Sequence, residues 1–441
     1  MVREGHEKLA KIRAMSAPGL APRLAAAELL HGVLHDEQLL SDMLEGKDSP
    51  LNDLPPSGRA RAQSLVMSTL RHLGPIDIVL DQFLQKSPPL KVRNALRIAT
   101  NEMLVDGIAV HAAVDAAVNM VKASRKLQHL KGLTNAVARR VAEHGPEIWA
   151  DMDPQSLPEW LENPIERAYG EEALHAIEAA HAAGAPLDLT LRDQTTAEKW
   201  AKELDAEILP TGSLRLQNPG QVSAMAGFEE GAWWVQDAAA ALPTQLFGDI
   251  KGLRALDLCA APGGKTMQLA AAGGDVLAVD IAKPRLKRVT ENLRRTKLSA
   301  KIVTADAVRW APEEKFDIIL LDAPCSATGT IRRHPDLPFA KSGDLKILLR
   351  LQQKLLTRAF DWLKPGGRIV YCTCSLLASE GEGQISSFLA NHDDATQLPV
   401  PKSLNLPDEW TDDYGGLRLR PDFWADRGGM DGFYAAILQK S

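Results

Sequence analysis

The chain has 441 residues, 45% of them hydrophobic and 24% charged, with a formal net charge of −6. That length exceeds one ordinary core, so two or three domains are expected, and no apolar run is long enough to span a bilayer. Met1 to Met15 is charged and lacks an apolar signal core, and four scattered cysteines (259, 325, 372, 374) make no disulfide framework, so a cytoplasmic protein with free thiols is expected.

The charge is uneven. Residues 1–150 hold 19 Lys and Arg against 16 Asp and Glu, which leaves the acidic excess to the rest of the chain. A local basic surface is enough to hold RNA whatever the net charge.

After a tail over 1–19, apolar residues from Leu20 to about His144 recur at three- and four-residue spacing (Leu24, Leu29, Leu30, Val33, Leu34), with Pro-rich breaks at 49–56, 74–75 and 87–89. The pattern predicts an all-α bundle over 20–145. Its last segment carries Lys122, Arg125, Lys126, Lys131, Arg139 and Arg140, either a solvated helix face or a phosphate-contacting patch, with Lys126 and Arg139 as candidate RNA contacts.

Four prolines between Gly145 and Pro164 predict a linker over 146–164. Residues 165–250 mix helical stretches with strand-like ones such as Leu187–Arg192 and predict a small α+β segment, with Asp237 as a helix N-cap. From 251 to 441, strands are predicted at 253–258, 275–280, 301–305, 316–321 and 367–373, and helices near 265–272, 284–296, 344–363 and 380–390. This alternation is that of a parallel, doubly wound α/β sheet. Leu417–Arg420 and Phe433–Leu438 would add an antiparallel edge.

Asp257-Leu-Cys-Ala-Ala-Pro-Gly-Gly-Lys-Thr266 joins the first of these strands to the first helix. A P-loop ending at Gly264-Lys-Thr266 needs Gly at 259, which is Cys, and the dinucleotide G-x-G-x-x-G spacing is absent. The next strands end in Asp280, Asp306 and Asp322, the first placed to bind a ribose diol. A Gly-rich loop without a phosphate fingerprint, ringed by acids, suits S-adenosyl-L-methionine, which is cationic and has no phosphates.

Cys325 follows the fourth strand and Cys374 ends the fifth, so two thiols meet at one crevice. Cys372-x-Cys374 has no partner pair at zinc spacing, so no metal is expected, and Cys372 reads as an inert buried thiol. Paired thiols suit methylation of pyrimidine carbon 5, which becomes nucleophilic only after a thiolate adds to carbon 6. One thiol attacks and the other assists release, with Asp322 holding the ring; the residues alone do not decide which thiol does which.

These motifs resemble those of the RNA 5-methylcytosine methyltransferases. Ala327-Thr-Gly-Thr-Ile-Arg-Arg-His-Pro-Asp336 and Asp431-Gly-Phe-Tyr434 narrow the resemblance to the bacterial RsmB/Fmu/Sun type, which acts on small-subunit ribosomal RNA. His111-Ala-Ala-Val and Lys131–Arg139 resemble the NusB-like helical domain of that type. The resemblance implies a Rossmann-like catalytic domain and cofactor contacts from Cys259, Ala260, Ala261, Pro262, Gly263, Gly264, Lys265, Asp280, Asp306 and Asp322. It also makes Cys374 the nucleophile and Cys325 the release thiol. Arg332 and Arg333 are candidate phosphate contacts, and a monomer is expected. The sequence departs from the family at Ala378-Ser-Glu-Gly381, where Pro-Glu-Glu-Asn is usual. The other functions weighed are a non-catalytic RNA-binding or assembly factor and a 5-methylcytosine enzyme acting on another RNA such as tRNA.

Overall fold

The structure, a computed structural model, describes residues 19–217, 220–340 and 344–441. Those residues fall into two compact units. One runs up to Glu162 and takes in the stretch beginning at Arg333; the other holds Asn163–Arg332 and the chain from Asp344 onward.

The first unit is helical, as its periodicity predicts: α1 (Leu20–Asp36), α2 (Leu40–Glu45), α3 (Pro56–Arg71), α4 (Leu73–Asp81), α5 (Leu90–Leu104), α6 (Val110–Lys122) and α7 (Lys131–Ala150). The apolar stripe of α1, with Ala26, Leu29, Leu30 and Val33, is fully buried against Leu65, Leu96 and their neighbours. Glu102 of α5 is buried too, and its carboxylate accepts from Arg23 (Nε, 2.7 Å) and Arg61 (Nη2, 2.6 Å). Two guanidinium groups compensate the desolvation of that one carboxylate. Pro146 does not end α7: the helix runs through it to Ala150, so the expected linker is helical at its start and enters another helix, α8 (Glu159–Tyr169), before Pro164. A proline inside a helix gives up one backbone bond, which packing elsewhere along the helix tolerates.

The stretch from Arg333 belongs to this helical unit although it is sequence-distant from it. The buried Asp336 accepts the Leu40 N–H at 2.8 Å, capping α2 with a carboxylate where the helix leaves its donors free, and Phe339 packs on the helical core.

In the second unit, α9 (Glu171–Ala183) precedes a small antiparallel sheet in the order β2 (Glu207–Ile208), β3 (Leu214–Leu216), β1 (Leu187–Leu191), β4 (Trp233–Val235), covered by α10 (Ala197–Leu204). Trp200, Leu214 and Trp233 form its core. Asp188 of β1 and Arg215 of β3 face each other across it in a buried bidentate pair, both bonds 2.7 Å. Then α11 (Ala238–Gln245) leads to the large sheet. Asp237 caps α11 through the Ala239 N–H at 2.9 Å, as its position predicts.

The large sheet places β5 (Arg254–Leu258), β6 (Asp275–Asp280), β7 (Lys301–Thr304), β8 (Phe316–Asp322) and β9 (Leu363–Thr373) in the parallel order β9-β8-β5-β6-β7. Its crossovers are α12 (Gly264–Ala271), α13 (Lys283–Thr296) and α14 (Leu345–Asp361), with α15 (Glu382–Leu389) following β9. Ile318 to Leu321 of β8 are buried, as a continuous apolar run in a doubly covered strand requires. β12 (Phe433–Lys440) runs antiparallel to β9. With β11 (Leu417–Leu419) it makes the antiparallel edge that the sequence suggests, and β10 (Ala395–Leu398), which the sequence does not show, also pairs with its far side.

Candidate active site

The carboxyl ends of β9, β8, β5 and β6 carry the site, and each loop there is held in its own way. After β5, Cys259 takes a left-handed conformation (φ 61°) and Gly263, at φ 105°, opens α12. A Cβ on Gly263 would stand 3.1 Å from Val289, so both backbone angle and space call for glycine. The loop's carbonyls are tied to α13: Arg285 donates to Ala261 O at 2.7 Å and Asn292 to Pro262 O at 3.2 Å. The Ala260 N–H donates to Val279 O at 3.2 Å and fastens the loop to β6.

Asp280 is buried at the end of β6 and accepts the N–H groups of Ala261 (3.1 Å) and Ala282 (2.9 Å). Its first task is thus to shape the loop. Asp306, past β7, accepts the Val308 N–H at 2.9 Å and stays partly exposed. Asp257, which the sequence did not single out, is fully buried; Thr266 donates to one of its oxygens at 2.5 Å and the other has no partner. Burial raises its pKa to about 7. Burial, with Asp322, Asp280 and Asp257 around it, pushes the Cys259 thiol up to about 12, which keeps it a neutral lining group. Acceptors with spare lone pairs and a backbone loop clear of side chains fit a cationic nucleoside cofactor with a ribose diol.

On the other side of β8 the thiols meet. The Sγ atoms of Cys325 and Cys374 are 3.5 Å apart. Lys265 reaches across from α12 to donate to Asp322 at 2.8 Å, with its ammonium 4.8 Å from the centre of the Phe433 ring. Burial disfavours the Lys265 charge, but Asp322 and the nearby thiols outweigh it and hold the lysine protonated. Cys372 is fully buried beneath, 3.7 Å from Asp322, and burial raises its pKa well above the usual thiol value. Cys325 is raised too, first by the hydrogen bond with Cys374, then by burial and by the charge of Glu380.

The family-specific motifs prove to be the frame behind Cys374. Gly329 donates to Cys374 O at 2.9 Å, and Gly432 donates to Gly329 O at 2.7 Å. A Cβ on Gly329 would lie 2.0 Å from Gly432 O, so the two backbones touch where Thr328-Gly-Thr330 meets Asp431-Gly-Phe433. Beyond the nucleophile candidate, Arg418 donates to Ser375 O at 2.6 Å and Tyr169 to Leu376 O at 2.7 Å. Neither residue is legible in the sequence, because both act on backbone from distant elements.

Arg332 corrects an expectation. Its guanidinium is fully buried and bonded to Asp237, to Asp431 (3.0 Å) and to Gly428 O (2.9 Å), so it braces the fold and offers nothing to an RNA phosphate. Arg333, Lys126 and Arg139 lie in the helical unit. Lys122, Arg125, Lys126, Lys131, Arg139 and Arg140 all reach solvent there.

Comparison with known proteins agrees with this geometry. A family model described as 16S rRNA methyltransferase RsmB/F matches residues 250–439, and the NusB family model matches residues 20–143. The ribosomal RNA small subunit methyltransferase B of Cronobacter sakazakii is 35% identical over 440 residues, covering 95% of this chain and 98% of that protein. Its namesake in Pseudomonas putida is also 35% identical, with the same coverage of both chains. Among solved structures, that titled PH0851 superposes with a TM-score of 0.72 at 23% identity, over 97% of this chain and all of that one. A methyltransferase homologue from Pyrococcus horikoshii gives 0.53 at 27% identity, over 63% and 94%. No helix among the described residues is long and apolar enough to cross a membrane. A helical NusB-type unit, a Rossmann-like sheet and near-full-length relatives together show that the chain belongs to the RsmB/F family of S-adenosyl-L-methionine-dependent ribosomal RNA methyltransferases.

Proposed function

We propose that the protein methylates carbon 5 of a specific cytosine in small-subunit (16S) ribosomal RNA in the cytoplasm, through a covalent bond between Cys374 and carbon 6 of the base. The observation that carries this reading is the pair of thiols 3.5 Å apart beside the Lys265–Asp322 ion pair. Methylation of an exocyclic nitrogen or a ribose hydroxyl needs no covalent thiol; carbon 5 of a pyrimidine does.

When bound, S-adenosyl-L-methionine supplies an electrophilic methyl group. The Cys374 thiolate adds to carbon 6 of a base flipped out of its stack. The Lys265 ammonium stands at the same crevice, bonded to Asp322. Asp322, oriented by Lys265, holds the ring nitrogen edge and the proton that the adduct gains. Once Cys374 has become a thioether it carries neither a thiol proton nor a charge to act on Cys325. Cys325, its own thiol proton passed to solvent, takes the carbon 5 proton as a thiolate; the electron pair of the carbon 5–hydrogen bond re-forms the carbon 5–carbon 6 double bond and expels Cys374 as a thiolate, and the proton gained at the ring nitrogen edge leaves.

The Asp280 and Asp306 carboxylates and the Cys259–Lys265 loop are assigned to the cofactor. Lys126, Arg139 and their basic neighbours on the helical unit are assigned to RNA phosphates. Purified protein incubated with S-adenosyl-L-methionine and 16S RNA from cells lacking the gene should introduce 5-methylcytosine at one position, read by nucleoside mass spectrometry and bisulfite mapping. A methyl group on adenine, on ribose or only in tRNA would overturn the proposal.

A further inference from the structure

Glu380 lies in a short turn just past β9 and is fully buried, yet its carboxylate is packed with donors. It accepts the Ser326 N–H (3.0 Å), the Ser326 hydroxyl (2.5 Å), the Ser375 hydroxyl (2.6 Å) and the Gln352 amide (2.8 Å). Ser326 follows Cys325 and Ser375 follows Cys374, so one side chain grips both cysteine loops directly behind their thiols. Tyr371, on β9 beneath them, donates to the Glu380 carbonyl at 2.7 Å and fixes the backbone from below. Gln352 also donates to Pro324 O (2.9 Å), which extends the grip to the residue before Cys325.

We propose that Glu380 is a positioning residue that fixes the distance between the two thiols and, by its buried negative charge, makes them chemically unequal. Its two oxygens take hydrogen bonds from both cysteine loops and from Gln352 at once. The Glu380 charge disfavours the Cys325 thiolate, while the Lys265 ammonium is bonded to Asp322 at the same crevice. The titratable groups that act on Cys325 include Cys374, Glu380 and Tyr371. Cys325 is thereby the thiol whose thiolate the buried acid disfavours. The departure at Ala378-Ser-Glu-Gly381 keeps the acid at the third position of the family's Pro-Glu-Glu-Asn, the one position where this geometry needs it.

The inference rests on the proposed roles of Cys374 and Cys325, but the test of its charge role needs no RNA. In full-length protein carrying Cys374→Ser, the rate of Cys325 alkylation by iodoacetamide is followed across pH by peptide mass spectrometry. Glu380→Gln should shift the pH midpoint of Cys325 downward by about one unit, roughly a tenfold faster reaction at a fixed pH below the midpoint. Glu380→Asp keeps the charge and should leave the midpoint near its original value. An unchanged midpoint in a Glu380→Gln protein that still binds S-adenosyl-L-methionine, or an equal shift in Glu380→Asp, would overturn the charge role. Should Glu380→Gln not fold, the Ser326→Ala/Ser375→Ala pair removes two of its grips and retains the charge. It should lower kcat at least tenfold with KM for RNA unchanged, and an unchanged kcat would overturn the positioning role. Loss of every RNA adduct in the unmodified protein would instead contradict the reaction and leave the alkylation result standing.

Discussion

Lys265 takes part in both halves of the site, since it stands in the loop assigned to the cofactor yet gives its charge to Asp322 and the thiols. Lys265→Met should therefore lower kcat by about 10²- to 10³-fold, the usual cost of one preorganised electrostatic group, while binding of S-adenosyl-L-methionine by calorimetry changes much less. An equal loss in both would make it a cofactor ligand only. Asp257 makes a prediction about pH. Its pKa of about 7 in the fold lies above that of a free carboxyl, so its protonated form is favoured by folding. The stability this contributes is complete below about pH 4 and is lost as pH rises through 7. Asp257→Asn should flatten that part of the profile: its melting temperature should fall less between pH 5 and 8 than that of the unchanged protein. The sequence displayed Cys325, Cys374 and Asp322 because thiols and acids at strand ends are rare combinations. It did not display Asp257 or Glu380, whose roles depend on burial and on partners brought from other elements.

At the level of elements, the parallel strands were legible because each is a short apolar run ending in a polar loop. β10 was not, since its four residues are partly exposed and lack alternation. The two sequence signatures around Gly329 and Asp431, which narrowed the family resemblance, turn out to be mutual backbone support for the Cys374 loop. Arg332 shows the same reversal. A cation in a signature motif reads as an RNA contact, but here it neutralises Asp237 and Asp431 in the core and so joins the α11 N-terminus to the start of β12. Arg332→Ala should destabilise the second unit by about 3–5 kcal/mol in urea denaturation, because it leaves two buried carboxylates uncompensated. A loss under about 1 kcal/mol, with weaker RNA binding instead, would restore the phosphate role.

Over the whole molecule, the helical periodicity announced the first unit and the strand–helix alternation the second. What sequence order hid is that residues 333–340 belong with the helices, through the Asp336 cap and Phe339. A deletion of the first 145 residues would strip that segment of its partners, so the RNA-binding role of the helical unit is better tested by charge than by truncation. Lys122, Arg125, Lys126 and Lys131 form no ion pair among the described residues. Changing all four to Glu should weaken RNA binding and reduce the slope of log Kd against log salt by about 0.7–0.9 for each phosphate no longer neutralised, with cofactor affinity unaltered. An unchanged slope would make this face ordinary solvated surface.

The central claim is the division of labour between the two thiols, and trapping the covalent intermediate tests it most directly. Cys325→Ala, mixed with RNA substrate and S-adenosyl-L-methionine and run on a denaturing gel, should accumulate a protein–RNA adduct that peptide mapping assigns to Cys374, while Cys374→Ala should give no adduct and no 5-methylcytosine. An adduct that accumulates in Cys374→Ala and maps to Cys325 would contradict the account.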